Sequence, residues 1–436
     1  MSNYVRPAVL TDFYEADSTY SLNIVAEGQL RMLVDAGYSP VGIAQTDFEP
    51  ERVWKDVELR HIPRMPHHNQ IKFEDNHDEV VAEVQAALDE ALDGVDVVFT
   101  HDMIYQPAEM ILNFAARRWA REHPEVTWLN WVHSATRSAV WATPDPRLQE
   151  LQVHMPNSFT VYPNDWSRPL VARAFNCEVS DVAVVPHPTD FCSYLGFQDI
   201  TTRFVKDKGL LDYEFILVYP IRLDRGKQVE HVVNAARGFW DVGRSAAVVV
   251  VDFHSTGGDK VVYRDWLKEE AVKIDIADHV HFTSEYDESL RLKCPREMVR
   301  DLFLLANVFV MPCRSETYSL ITQEAALCGN FLVLNWDFQP FRDIYGEHAA
   351  YFKFSSNIDI MDRHLAPPPP GQAYQTNTEY GDKRAYFRGL ALRVCFEMDN
   401  NPVMNQRTRT RMTRNPGAVF KRYVEPLFYH AAGRAR

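Results

Sequence analysis

Short, uninterrupted apolar runs recur along this chain, each followed by a polar turn and then a stretch with helical spacing. Residues 308–334 show the unit most fully. VFVMP is followed by the turn Cys313-Arg314-Ser315-Glu316-Thr317, a helical stretch over 319–327, a stop at Gly329, and a second apolar run, FLVL. A strand apolar on both faces needs cover on both sides, which is the condition of a parallel sheet. Strand–turn–helix–strand, repeated, therefore predicts a doubly wound parallel α/β fold.

The same unit runs through both halves. PAVLT (7–11), residues 38–44, DVVFT (96–100), TWLNWVHS (127–134), SFTVYPN (158–164) and VAVVPHP (182–188) read as strands, with VELRHIP (57–63) a further candidate. Helical spacing covers 19–36, 78–93, 106–123 and 166–176 between them. After Pro188 the pattern restarts with EFILVYPI (214–221), AAVVVVDFH (246–254), HVHFTSE (279–285), VFVMP, FLVLNW (331–336) and AAYFKF (349–354). With 436 residues the chain exceeds one ordinary core, so two domains are expected, 1–190 and 191–415. Residues 416–436 form a last helix with Phe420, Tyr423 and Phe428 as anchors. The four prolines at 367–370 mark an exposed loop.

Charge and cysteine usage exclude several classes. A net charge of −14 gives no general affinity for nucleic acid, so such a role needs a local basic cleft. The run Arg407, Arg409, Arg411, Arg414 is the one candidate, and its plainer reading is a solvated basic turn. Six cysteines lie scattered with no C-x-x-C pair, which fits a reducing compartment, the cytoplasm, and argues against a disulfide framework or zinc knuckle. No apolar run reaches the length of a membrane span, and the first residues lack a signal-peptide pattern.

Ligands of open α/β sheets bind at the carboxyl ends of the strands. Four charged residues fall there in the second half: Arg222 and Lys227 after one strand, Glu316 in the turn after another, and Glu324 on the following helix. Two fixed cations suit a diphosphate, and two carboxylates suit sugar hydroxyls. The free N–H groups of Ser319, Leu320 and Ile321 at the helix start suit a phosphate. Taken singly, each residue has a bland reading: a solvated turn, a cap, a half-exposed helix position. Their ordered co-occurrence favours the functional one.

Those residues carry a resemblance. Ile221-Arg222-Leu223-Asp224-Arg225-Gly226-Lys227 and Ser315-Glu316-Thr317-Tyr318-Ser319-Leu320 with Glu324-Ala325 are similar to the two signatures of the retaining glycosyltransferase family four, with Ile221 and Ser319 where that family usually has glycine. Phe99-Thr100-His101-Asp102, Trp131-Val132-His133-Ser134 and residues 184–190 resemble further segments of the family. The resemblance implies the GT-B arrangement, two Rossmann-like domains facing a cleft, with the last helix crossing back to the first domain. It implies a nucleoside-diphosphate sugar, UDP- or GDP-linked, as co-substrate. Arg222 and Lys227 would neutralise the leaving diphosphate, Glu324 would hold the ribose and Glu316 the transferred sugar, while Ser319, Leu320 and Ile321 present amides. His133 would sit near the sugar, although a hydrogen-bonded sheet-end histidine explains it equally well. His101 would shape the acceptor site, and His187 and Asp190 would be hinge residues. His281 and Phe282 would flank the base, or simply end a strand. No metal is implied, and no Asp-x-Asp motif stands in a strand-end turn.

The loop after the first strand departs from that family. Residues 12–21 (DFYEADSTYS) contain no glycine and are acidic and aromatic, so Asp12, Tyr14 and Tyr20 become candidates for the acceptor pocket. With no Lys/Arg-rich amphipathic helix in the first domain, a soluble hydroxyl acceptor is expected rather than a lipid-linked one. A hydroxylated base in DNA is a second reading. A nucleotide-sugar 2-epimerase and a non-catalytic sugar-nucleotide binder are alternatives on the same fold. The first would need further acid/base groups at the cleft, and the second would not need both the cations and the carboxylates.

Overall fold

The computed structural model describes residues 5–17, 19–66, 70–133, 143–253, 258–313, 318–354 and 382–434. Two compact units emerge: residues 1–190 together with 413–436, and residues 191–412.

The first unit is built on seven strands: β1 (Pro7–Leu10), β2 (Val41–Gln45), β3 (Glu58–Ile62), β4 (Val97–His101), β5 (Thr127–Trp131), β6 (Ser158–Tyr162) and β7 (Val182–Val184). They lie in the order β3-β2-β1-β4-β5-β6-β7, all parallel. The inner strands β1, β2, β4 and β5 are buried throughout, as their apolar runs require, whereas β3 at the edge is largely open to solvent. Helices Ser21–Asp35, His77–Ala91 and Met110–Glu122 cover the faces. The segment from Pro416 packs on this unit. Phe420 and Phe428 set their rings 5.4 and 5.2 Å from that of Tyr38, and Phe428 also meets Phe99. The last helix expected there runs on without a break from Pro416 to Arg434 and passes through a π-turn at Phe420–Val424.

The second unit holds β8 (Phe215–Ile221), β9 (Ala246–Asp252), β10 (Val280–Phe282), β11 (Val308–Met311), β12 (Phe331–Asn335) and β13 (Ala350–Phe352), in the order β10-β9-β8-β11-β12-β13 and again parallel. Its core residues form one cluster spanning both faces. Helix Lys383–Asp399 lies on helix Val229–Asp241 at Gly238, where an added Cβ would stand 2.2 Å from the Phe387 carbonyl oxygen. Only glycine allows that approach.

Both sheets therefore reverse direction once, between β1 and β4 and between β8 and β11. At such a switch point neighbouring strand-end loops part, leaving a crevice. Among the described residues no helix is long and apolar enough to cross a membrane.

The basic run is not a solvated turn. Residues 402–414 form a helix, Pro402–Arg414, and Arg411 is 3% exposed. Its guanidinium donates to the carbonyls of Leu210, Leu211 and Glu214 at 3.2–3.3 Å. Arg407 donates to the carbonyls of Cys328 and Leu304. Both cations fasten the second unit together and so are withdrawn from any nucleic-acid surface. The four prolines lie outside the described residues.

Candidate active site

The switch point of the first sheet opens into a cavity of about 800 Å³, walled by the loop after β1, the loop after β4, and Met65 with its neighbours after β3. Asp12, Tyr14 and Tyr20 all line it, so the glycine-free loop is a pocket wall. Gln45 at the end of β2 fixes that wall. Its backbone N–H donates to the Phe13 carbonyl (3.0 Å), its side-chain amide donates to the Asp12 carbonyl, and its Oε1 accepts from the Met65 N–H (3.3 Å). Phe13 turns inward and meets Tyr20 edge-on at 6.3 Å.

Opposite stand Asp102 and Glu109. Asp102 follows β4 with a left-handed backbone (φ 56°), a costly conformation for a residue with a Cβ and one that gathers at functional sites. It is 4% exposed, and its carboxylate accepts the His133 N–H at 3.0 Å. Burial pushes this carboxyl up, against the pull of the His133, Tyr105 and Gln106 donors. Glu109 is held well above the usual carboxylate range, first by burial, then by Asp12, to which it is hydrogen-bonded, and then by Asp102. The Tyr20 hydroxyl is pushed up to about 12 by burial and by the carboxylates of Asp12, Glu109 and Asp102.

His101 and His133 end adjacent parallel strands, and their rings stack at 5.1 Å with His101 Nδ1 2.9 Å from His133 Nε2. On its other side the His133 ring stacks on His187 at 5.1 Å. His187 is thus the third ring of a pile. Burial drives all three away from protonation, His133 down to about 3, with the neighbouring rings adding to the effect on His101 and His133. His101 does not line the cavity.

In the second unit the loop after β8 is a tight turn, Arg225–Lys227, followed by Gln228 in the left-handed region. The Tyr219 hydroxyl donates to the Lys227 carbonyl (2.9 Å), and the Arg222 side chain is exposed and donates to Asp224 (2.6 Å). Arg225, which the sequence reading passed over, lies across Tyr263 and Trp266 at 5.1 and 5.4 Å. Tyr263 also accepts from the Val229 N–H and donates to Glu230, so an aromatic support holds the cationic turn in place.

β11 neighbours β8, and its following helix, Leu320–Leu327, begins at the same sheet edge. Ser319 is the residue before that helix. Its backbone is left-handed, φ 62° and ψ 80°, and its hydroxyl meets that of Thr322 at 2.7 Å. This is the conformation glycine adopts without strain, which is why a glycine serves well there. Leu320 is exposed and Ile321 half-buried. Glu324 is paired with Arg296 at 3.0 Å on an open face. Glu316 lies outside the described residues, as do Arg314, Ser315 and Thr317. The expected base-flanking pair is divided: Phe282 is buried in the core, while His281 is half-buried and driven down to about 4 by burial.

Four residues of the cavity wall escape the sequence pattern: Asn23, Gln45, Asp102 and Glu109. Asp102 had a signal, its place at a strand end beside His101. Glu109 had none, because an acidic residue just before a helix reads as a charge at the helix start.

Residues 201–364 match the family model described as glycosyl transferases group 1. No curated protein matches the chain. Solved structures similar to it along nearly the whole length include a glycosyltransferase from Rickettsia africae ESF-5 (11% identity, 99% of each chain covered, TM-score 0.37). Others are sucrose-phosphate synthase from Thermosynechococcus elongatus (15%, 98% of each, 0.31) and HepE from Anabaena in complex with UDP-glucose (12%, 98% of each, 0.30). The matched segment contains the cationic turn after β8 and the helix start after β11. The protein is accordingly an enzyme, a glycosyltransferase.

Proposed function

We propose that this enzyme transfers a sugar, with retention of anomeric configuration, from a nucleoside-diphosphate sugar (UDP- or GDP-linked) to a soluble hydroxyl-bearing acceptor in the cytoplasm, without a metal ion, as a family-four enzyme of GT-B arrangement. Arg222 and Lys227 neutralise the departing diphosphate, helped by the amides of Ser319, Leu320 and Ile321. Glu324 holds the donor ribose and Glu316 the transferred sugar. The acceptor enters the cavity after β1 and β4, where Asp12, Tyr14 and Tyr20 form its wall. His133 stands at the end of β5 with His101 behind it. Charge separation drives the chemistry. The sugar–phosphate bond breaks toward positive charge on the anomeric carbon and negative charge on the diphosphate. Fixed cations and a helix N-terminus stabilise the latter. The leaving phosphate receives the acceptor proton on the same face, so no side-chain nucleophile is needed.

The observation that carries this reading is the placement of the cationic turn and the helix start at the switch point of a matched glycosyltransferase domain. The test incubates the protein with a panel of nucleotide sugars and hydroxylated acceptors, measuring nucleoside diphosphate release and the anomeric configuration of the product. Arg222→Ala and Lys227→Ala should each lower turnover about 100-fold. Tight donor binding with no release from any donor–acceptor pair would replace the transferase with a non-catalytic binder. Inversion at the anomeric carbon would remove the family-four assignment.

A further inference from the structure

Two successive residues at the end of β4 hold His133, at the end of the neighbouring strand β5. Asp102 accepts its backbone N–H at 3.0 Å. His101 holds its ring: His101 Nδ1 lies 2.9 Å from His133 Nε2. The ring centroids are 5.1 Å apart and the planes differ by 23°. That separation is close to what an in-plane N–H···N bond of 2.9 Å between two imidazoles requires. Within the pile, these two rings therefore meet edge to edge.

One proton lies in that bond, and the ring that carries it decides what His133 can do. Burial keeps both rings neutral, and a neutral imidazole has one N–H and one bare nitrogen. If His133 carried the proton at Nε2, His101 would accept at Nδ1 and hold its own proton at Nε2. That second nitrogen is buried and meets no hydrogen-bond partner, on a residue only 5% exposed. Orphaned buried N–H groups are rarer than under-used acceptors. The proton therefore belongs to His101 Nδ1. His133 accepts it at Nε2 and carries its own proton at Nδ1.

We propose that His101 is a positioning residue that holds His133 in the tautomer with Nδ1 protonated and Nε2 engaged. The hydrogen bond made by one ring nitrogen sets the protonation of the other. In that state His133 has no bare nitrogen to offer. It meets a substrate oxygen as a hydrogen-bond donor and does not serve as a general base. Among the described residues no hydrogen-bond partner meets His133 Nδ1, and the residue is only half-buried, which leaves that N–H for a ligand. The chemistry it recognises is an oxygen lone pair, such as that of a sugar hydroxyl. The part played in sugar transfer rests on the transferase reading above; the tautomer rests on the two rings alone.

The test is a long-range proton–nitrogen correlation spectrum of the full chain labelled with nitrogen-15 histidine, near pH 7.5, where an ordinary histidine is neutral. Protonated and bare nitrogens of a neutral imidazole resonate far apart, so the spectrum reads the tautomer directly. His101→Asn and His133→Gln assign the two rings by removing their signals. In the wild type both rings should carry the proton at Nδ1. His101→Asn puts an amide N–H where Nδ1 stood and should keep the His133 tautomer, whereas His101→Leu removes the donor and should release it. With the donor–acceptor pair that releases nucleoside diphosphate fastest, His101→Leu should lower kcat about tenfold or more with little change in donor KM, and His101→Asn should recover most of that loss. A proton on Nε2 of wild-type His133 overturns the proposal. So does an equal loss of kcat in both variants with the His133 tautomer unchanged. If His101→Leu fails to fold, the wild-type spectrum and His101→Asn still decide. If the tautomer is as described but no donor–acceptor pair releases nucleoside diphosphate, the transferase reading fails while the role of His101 toward His133 stands.

Discussion

Ser319 offers a direct measure of what a side chain costs at the turn before the helix Leu320–Leu327. It sits in the left-handed region at φ 62°, is 4% exposed, and its hydroxyl bonds to that of Thr322, itself fully buried. Ser319→Ala and Ser319→Gly both delete that hydrogen bond, so each loses about 1 kcal/mol from it. They differ in the Cβ. Alanine keeps the left-handed penalty of about 1–2 kcal/mol, while glycine relieves it and loses about 0.5–1 kcal/mol in chain entropy. The glycine variant should therefore be the more stable of the two by about 0.7 kcal/mol. With a urea slope of about 2.5 kcal/mol per molar, that is a midpoint difference of about 0.3 M. The assay is urea unfolding of the full chain. Two units of separate core are expected to unfold in separate transitions, and the transition of residues 1–190 with 413–436 then serves as an internal reference. On the proposed donor role, donor KM supplies a second readout, since removing the Cβ would widen the approach to the amides of Leu320 and Ile321. An alanine variant as stable as the glycine variant, or more so, would refute a left-handed Ser319.

Two other perturbations address Arg411 and the histidine pile. Arg411→Met leaves the carbonyls of Leu210, Leu211 and Glu214 without their buried donor; at about 1–3 kcal/mol per orphaned group, a loss of about 3 kcal/mol or more is expected, read as a lower urea midpoint for the second unit alone. His133 is neutral in the folded protein, its protonation driven down to about 3 by burial and by His187, whereas an unfolded histidine titrates near 6.5. Its contribution is thus complete above about pH 6.5 and lost as pH falls toward 3, because the unfolded chain takes up the proton first. Between about pH 6 and pH 5 the stability of the wild type should fall relative to His133→Gln by about 1 kcal/mol, and a gap independent of pH would exclude the buried neutral ring.

The sheets were legible because their strands are buried on both faces, so each shows as an apolar run with nothing to alternate against. β9, with AAVVVVD buried along its whole length, is the clearest case. The turns at the strand ends of the second unit were legible for a related reason: charged residues stood where such runs end. What failed to show was anything requiring two distant segments to meet. Arg411 lies in a stretch with hardly an apolar residue, and only its fit under the carbonyls of residues 210–214 makes it interior. Glu109 becomes a pocket residue only when the loop after β4 lies beside the loop after β1, nearly a hundred residues earlier in the chain. The three-histidine pile needs three strand ends aligned by register, which no local pattern encodes.

The first unit is interrupted: the stretch that covers Tyr38 and Phe99 comes from residues beyond 413, after the whole second unit has been made. During synthesis the β1–β7 sheet must therefore wait, with Tyr38 and Phe99 uncovered, until more than two hundred further residues have left the ribosome. The second unit has no such delay, since all its strands and its fastening arginines lie between residues 191 and 412. The order of assembly is thus the reverse of the order of translation. A chain halted before residue 413 would carry a finished second unit and a first unit with an open seam, and that seam is where a chaperone would be drawn.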